Sequence, residues 1–379
     1  MKRFICILFL LVIMLSVPIT VFAAEENDTD EIYSEQLAIS GAGELFSSLP
    51  KETQDMLIEM GINSLNYDSV TTVDPSRIFG KVVSLVSSKG STPLGAGAVC
   101  LGIMILCSLT EGANMTLGEN SIGKVSSVVG ALCVCTAAVV PMCEVIARSV
   151  EIINGASGFM LLYVPIMTGL MVSSGHEATA ASFYTMLMGA AQLISQLSSK
   201  LLTPVLNTFL ALSLTSSLSP KLNLSVLCSS LYKCTKWLLT LVMSIFATVL
   251  TAQSFVTSSL DKLSQRALRF AVSSFVPVVG GVLSETITTF SGSLELLKSG
   301  TGVFVIIASA CLFLPVLTEC ILWQVSLSVL SSASDILGLS RMKSVYSAVS
   351  SAAAMLTAIL LCILTVFIIS TVIILLTGR

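Results

Sequence analysis

The chain is laid out as long apolar runs that stop at isolated charges. Pro93–Thr110 lies between Lys89 and Glu111, Val125–Cys143 between Lys124 and Glu144, and Ile152–Ser174 between Glu151 and His176. Ala178–Ser199 and Leu201–Pro220 are split by Lys200, Trp237–Leu260 lies between Lys236 and Asp261, Thr301–Leu322 follows Lys298, and Ser351–Gly378 closes the series. The runs are continuous and do not alternate with period two, which is the pattern of membrane helices and not of barrel strands. Each is near or above the roughly 20 residues that a helix needs to cross a hydrocarbon core. The pattern predicts an all-α, polytopic membrane protein with about seven transmembrane helices. Ala178–Ser199 is the weakest run, because it carries Gln192, Gln196 and several serines. It is expected to lie inside the bundle or in the interface.

Composition narrows the picture. Of 379 residues, 54% are apolar and only 11% charged, against about 25% charged in soluble domains. A net charge of −3 gives no argument for nucleic acid. At the N-terminus, Lys2 and Arg3 precede the apolar run Phe4–Val17, and Val21 and Ala23 stand at −3 and −1 of a cleavage point. Residues 1–23 therefore read as a secretory signal, with an uncleaved anchor as the alternative. Residues 24–92 follow as an acidic segment expected on the exported side. They hold 12 of the 22 acidic residues against Lys51, Arg77, Lys81 and Lys89. Within them Pro50–Met60 has helical apolar spacing, with Gly61 placed to end the helix. The segment is too short to bury much core alone. Residues 93–379 form the expected transmembrane domain. None of the 11 cysteines falls in residues 24–92, so no exported disulfide framework is expected. The cysteines lack partners at metal-ligand spacing, and they read as small apolar residues.

The lysines give conflicting orientations. Lys221, Lys233 and Lys236 mark a cytoplasmic side, and so do Lys262, Arg266 and Arg269, yet only Trp237–Leu260 separates the two clusters. The second cluster is a candidate anchor for headgroups or for a soluble partner.

Three motifs point to enzymatic chemistry and fail. Gly118–Lys124 has the glycine and lysine spacing of a phosphate-binding loop, but Val125 stands where Ser or Thr must hold Mg²⁺. Gly155–Gly158 places Ser157 between small residues, but the one histidine, His176, lies about 27 Å along the same helix. His176–Glu177 lacks the second histidine of a zinc protease. No catalytic, cofactor-binding or metal-binding residue is expected.

The most unusual stretch is Ser273–Phe290, an apolar segment interrupted by Pro277, Gly280 and Gly281 and followed by Glu285. Proline removes a backbone donor and glycine permits a sharp turn. A half-length helix followed by broken backbone must be covered by protein or line a wet cavity. Pro277, Gly280, Gly281 and Glu285 are accordingly candidate pore or gating residues. The V-P-x-x-x-G pattern at Val164 returns at Val276, and Pro204-Val-Leu returns at Pro315. The near-constant offset raises an internal repeat, 160–250 against 272–362, of the kind found in transporters. The plainer reading is two proline-kinked helices. Glu319, inside an apolar run, is a candidate intramembrane polar group together with Gln192 and Gln196. Its alternative is a place at the membrane surface near Trp323.

Several blocks resemble one known family, that of stage III sporulation protein AE. They are "SLPKETQDMLIEMGIN" in the acidic segment, "PLGAGAVCLGIMILCSL" in the first run after it, "LSPKLNLS" after Leu201–Pro220, and "RALRFAVSSFVPVVGGVLSETITTFSGSLELLKSGTGVFVII" over 266–307. The resemblance implies membership of the stage III sporulation A complex in the mother-cell membrane around the forespore. It implies as partners the other stage III sporulation A proteins and, through the complex, the forespore's stage II sporulation protein Q. A channel-like assembly linking the two cells is implied with them. The family offers no catalytic residues to carry over. Two roles fit this expectation, a permease-like or channel-forming subunit and a non-conducting platform for ring-forming partners. An independent small-molecule transporter is a further alternative. In a conduit, Glu285, Glu295, Glu319, Gln192 and Gln196 should face one cavity; in a platform they should scatter.

Overall fold

The computed structural model describes the backbone of residues 29–63, 65, 75–117, 120–197, 200, 203–218, 225–275 and 280–377, and side chains over most of these but not over 254–292. Among the described residues the protein is entirely helical. Three short helices come first: α1 Thr29–Ser40, α2 Glu44–Ser47 and α3 Lys51–Glu59. The bundle then runs α4 Pro75–Leu117, α5 Asn120–Ser173, α6 Glu177–Leu197, α7 Thr203–Leu218, α8 Ser225–Phe275, α9 Gly280–Ile336 and α10 Ser340–Thr377.

Among the described residues, five helices are long and apolar enough to cross a membrane: Gly80–Thr110, Val128–Ser173, Val226–Gln253, Ser293–Ile336 and Ser340–Leu375. The expected number was about seven, and two features account for the difference. The runs 125–143 and 152–174 belong to one uninterrupted helix, α5, of 54 residues. Glu144 and Glu151 bound these runs in the sequence, but the stretch between them, which also holds Arg148, contains no Gly or Pro, and charged residues do not break a helix. The run 201–220 yields only the 16 residues of α7. The weak run 178–199 forms α6, 21 residues long and not among the five.

The helices are longer than a bilayer requires. At 1.5 Å per residue, the 57 residues of α9 extend about 85 Å, against a hydrocarbon core of about 30 Å. α9 is the axis of the bundle: 72% of its most apolar window is buried, against 6% for α8. The outer helices expose apolar bands, with Leu94, Ile105, Leu106 and Leu109 on α4 and Leu241, Val242, Ile245 and Val249 on α8. Exposed apolar bands of this kind suit contact with lipid.

α9 and α10 form an antiparallel hairpin closed along its length. Gly302 lies against Leu375, the Phe313 and Phe367 rings meet at 6.2 Å, Gln324 Nε2 donates to Thr357 Oγ1 at 2.8 Å, and Lys343 pairs with Asp335 at 2.8 Å. Gly338, with φ of +76°, lets the backbone take the left-handed turn that ends α9. Gly61 does the same after α3, as the sequence led us to expect: φ is +92°, and the Ile62 amide donates back to the Leu57 carbonyl at 2.9 Å.

The many serines and threonines of the helices are satisfied locally. Buried Ser149, Ser157, Thr357 and Ser370 each donate to the carbonyl four residues earlier, at 2.6–2.9 Å. This back-bonding lets hydroxyls sit in apolar surroundings without a distant partner. It also explains Ser157, which is buried and bonded to Ile153.

The acidic segment does not stand apart as a separate globule. Gln36 Nε2 donates to Ser293 Oγ at 2.8 Å, the Phe46 ring lies 6.3 Å from Phe304, and the Cys311 thiol meets the Met60 sulfur at 3.9 Å. Leu45, Leu57 and Ile62 are almost fully buried in a core shared with the bundle. Lys89 pairs with Glu52 at 2.9 Å, and Lys81 pairs with Glu59, tying α3 to α4. A segment too short to bury its own core has borrowed the surface of α9.

The segments 160–250 and 272–362 do not share a helix pattern among the described residues. Pro204 lies at the start of α7, whereas Pro315 lies inside α9. Pro277 and its neighbours 276–279 are outside the described residues.

Close helix contact depends on small residues. A Cβ placed on Gly302 would come within 2.5 Å of Leu375. Gly302→Leu is therefore expected to lower stability by about 1–3 kcal/mol through overpacking. Gly155, exposed on α5 with nothing within 4 Å, is the control. Gly155→Ala should be neutral or stabilising, since Gly costs about 1 kcal/mol in a helix. Melting temperatures of the detergent-purified variants test both statements, and equal melting of Gly302→Leu and the wild type would remove the first.

Candidate functional site: a buried ion pair in the bundle

Glu319 lies in the middle of α9, within a stretch that is otherwise apolar. Its side chain is only 3% exposed, and Oε1 accepts from Arg148 Nη2 of α5 at 2.7 Å. Arg148 is 42% exposed, so the guanidinium reaches from the flank of the bundle inward. The reason for the pairing is physical: an unpaired carboxylate there would lose its hydration without compensation. Trp323, one turn on from Glu319, is 1% exposed. Trp323 is packed in the core of the bundle, and Glu319 is buried beside it.

A second polar contact continues the site toward α10. Gln324 Nε2 donates to Thr357 Oγ1 at 2.8 Å, and Thr357 in turn donates to the Ala353 carbonyl at 2.8 Å. Ser149, adjacent to Arg148, is buried and bonded to Val145. α5, α9 and α10 thus meet at a polar layer in the bundle interior. Chemically the layer can fix the axial register of three helices, and it can hold a charge inside the membrane protein.

Of the other residues singled out from the sequence, those whose side chains are described do not pair with Glu319. Gln192 and Gln196 are exposed on α6, where their neighbour Ser195 donates to Asn154 Oδ1 of α5 at 3.1 Å. Glu295 is exposed near the start of the described side chains of α9. Gly280, Gly281 and Glu285 belong to the first turns of α9, and Lys262, Arg266 and Arg269 belong to α8, but their side chains lie outside the described residues. Pro277 lies outside them altogether. Lys233 and Lys236 share α8 with Lys262, about 39 Å away at helical rise. The two basic clusters are thus set at opposite ends of a membrane-length stretch of one helix.

Sequence reasoning missed Arg148. It lies between Glu144 and Glu151, the charges that bound two apolar runs, and its own position carries no local signal. The available signal was the need of Glu319 for a cation, but nothing local says which of the dispersed cations meets it across 171 positions of sequence.

Long apolar helices packed around a buried ion pair define a helical bundle whose candidate spans suit membrane association. The chain belongs to the stage III sporulation protein AE family, whose sequence model matches residues 68–378. Stage III sporulation protein AE of Bacillus subtilis (strain 168) is 21% identical over 221 residues, which cover 57% of this chain and 55% of that relative. The chain is thus matched to about half the length of its curated relative. No solved structure matches. The family's name places it among sporulation proteins.

Proposed function

We propose that the protein is a multi-pass subunit of the stage III sporulation A complex in the mother-cell membrane around the forespore. Its partners there are the other stage III sporulation A proteins and, through the complex, the forespore's stage II sporulation protein Q. Residues 24–92 lie on the exported side, between the two membranes. Within the complex the subunit acts as a membrane platform that holds the channel-forming parts in place. The observation that carries this choice is the packed centre of the bundle. Phe304, Phe313, Cys320 and Trp323 of α9 are all buried, whereas the polar groups Gln192, Gln196 and Glu295 are exposed. A conduit through this chain would need them on one wet path.

The permease-like reading keeps one observation in its favour, the Arg148–Glu319 pair, since charges inside membrane helices frequently serve transport. It also rests on Pro277, Gly280, Gly281 and Glu285. One double variant separates the two roles. Arg148→Met with Glu319→Leu removes both charges while leaving no orphan. In a deletion strain, a platform carrying the double variant should accumulate, retain its partners on co-purification and support spore formation near the wild-type level. If the double variant assembles normally and yet arrests sporulation, the platform role is lost and transport through the charged layer takes its place.

A further inference from the structure

A cavity of about 610 Å³ opens between α7, α8 and α10, and neither Arg148 nor Glu319 lines it. Its walls are hydroxyl-rich: Ser213 and Ser217 come from α7, Ser229 from α8, and Ser347 and Ser351 from α10. Two lysines, Lys233 of α8 and Lys343 of α10, complete it, and it contains no carboxylate lining. Lys343 is partly neutralised by Asp335 at 2.8 Å. Lys233 is in no ion pair among the described residues. The aromatic wall is fixed by Phe209 and Tyr232, whose rings lie 6.5 Å apart across α7 and α8. The volume falls in the range of small-molecule sites, roughly 300–1,000 Å³.

Height in the membrane follows from α8. Tyr232, Lys233, Lys236 and Trp237 are exposed in succession, and one turn further on Leu241, Val242, Ile245 and Val249 are exposed. Aromatic and basic residues collect at the headgroup level, and an exposed apolar band belongs to the acyl chains beyond. Tyr232 and Lys233 lie in the N-terminal third of the apolar stretch Val226–Gln253, where a lysine extends its ammonium to the headgroup level, so the cavity they line opens toward the membrane surface.

We propose that this cavity binds a phosphate-bearing anion at the membrane surface, with Lys233 as its principal charge partner. An ammonium held near hydroxyls suits a phosphate. Serine hydroxyls bonded to their own helix, such as Ser217, Ser229 and Ser351, keep acceptor lone pairs for ligand hydroxyls and become donors by rotation. A phospholipid headgroup and a free phosphate compound share this chemistry, and the membrane-surface position favours the headgroup.

The test uses the full-length protein purified in mild detergent. Retention of phosphatidylglycerol and of phosphatidylcholine is read by native mass spectrometry, and inorganic phosphate is titrated as the soluble competitor. The expected result is selective retention of phosphatidylglycerol, with apparent affinity reduced about tenfold by Lys233→Gln, equivalent to about 1.4 kcal/mol. Lys236→Gln, an exposed lysine outside the cavity wall, should leave it unchanged. Filling the cavity by Ser347→Trp should abolish retention without lowering the melting temperature. Displacement of the lipid by millimolar inorganic phosphate assigns the site to a soluble phosphate compound; no displacement assigns it to the headgroup. Equal retention of the two lipids, or wild-type retention by both Lys233→Gln and Ser347→Trp, overturns the proposal.

Discussion

Arg148→Met alone is expected to lower the stability of the purified protein by about 3 kcal/mol, the lower end of the range for breaking a buried ion pair. The low end applies because Arg148 itself is 42% exposed, while Glu319 is 3% exposed and stays behind in the bundle without its cation. Most of the loss is the cost of that orphaned carboxylate. Arg148→Met with Glu319→Leu should recover most of it, because replacing a buried pair by apolar groups of similar volume is often neutral or stabilising. Glu319→Leu alone should cost less than Arg148→Met, since the remaining guanidinium can still reach solvent. Detergent melting curves of the three variants and the wild type check the ordering. If Arg148→Met melts like the double variant, the pair contributes nothing to stability.

Leu57→Asp is expected to detach the acidic cap from the bundle. Leu57 is fully buried at the end of α3, next to the point where Met60 meets Cys311. An aspartate there buries an unpaired charge, and the cap has little core of its own with which to absorb the loss. The surface contacts Lys81–Glu59 and Lys89–Glu52 are too exposed to compensate, because such pairs are worth about 0–1 kcal/mol each. Cys311, buried beneath Met60, is a built-in reporter. In a variant with the other cysteines replaced, maleimide should label Cys311 slowly in the wild-type background and at least tenfold faster with Leu57→Asp, a ratio that corresponds to about 1.4 kcal/mol of opening. Ile58→Asp, on the exposed side of the same helix, should leave the rate unchanged. Labelling that is equally slow in Leu57→Asp would mean that α3 is held by something other than its buried face.

Much of the architecture was legible because solvent preference is a local property. Continuous apolar runs announce helices in lipid wherever they occur, and the stop at Gly61 follows from the conformational freedom of a single residue. The span count was less legible. Glu144 and Glu151 looked like the bounds of two separate runs because charge is costly in lipid. Helix continuity depends instead on backbone hydrogen bonds, which these residues do not interrupt. A tryptophan suits both an interface and a core, and only its neighbours put Trp323 in the core of the bundle. Of the candidate site, Glu319 was visible as a charge in the wrong solvent, but its partner was not.

Helical character, apolar spans suited to a membrane, an acidic N-terminal segment and kinship with sporulation proteins were legible along the chain, because composition, hydropathy and family motifs are local properties. Only the tertiary structure decided that Arg148 meets Glu319, that α1–α3 lie along α9, and that serines from three helices share one cavity with Lys233. Each of these joins residues far apart in the chain. Such contacts arise from how long helices align their side chains in space, and no local pattern records that alignment.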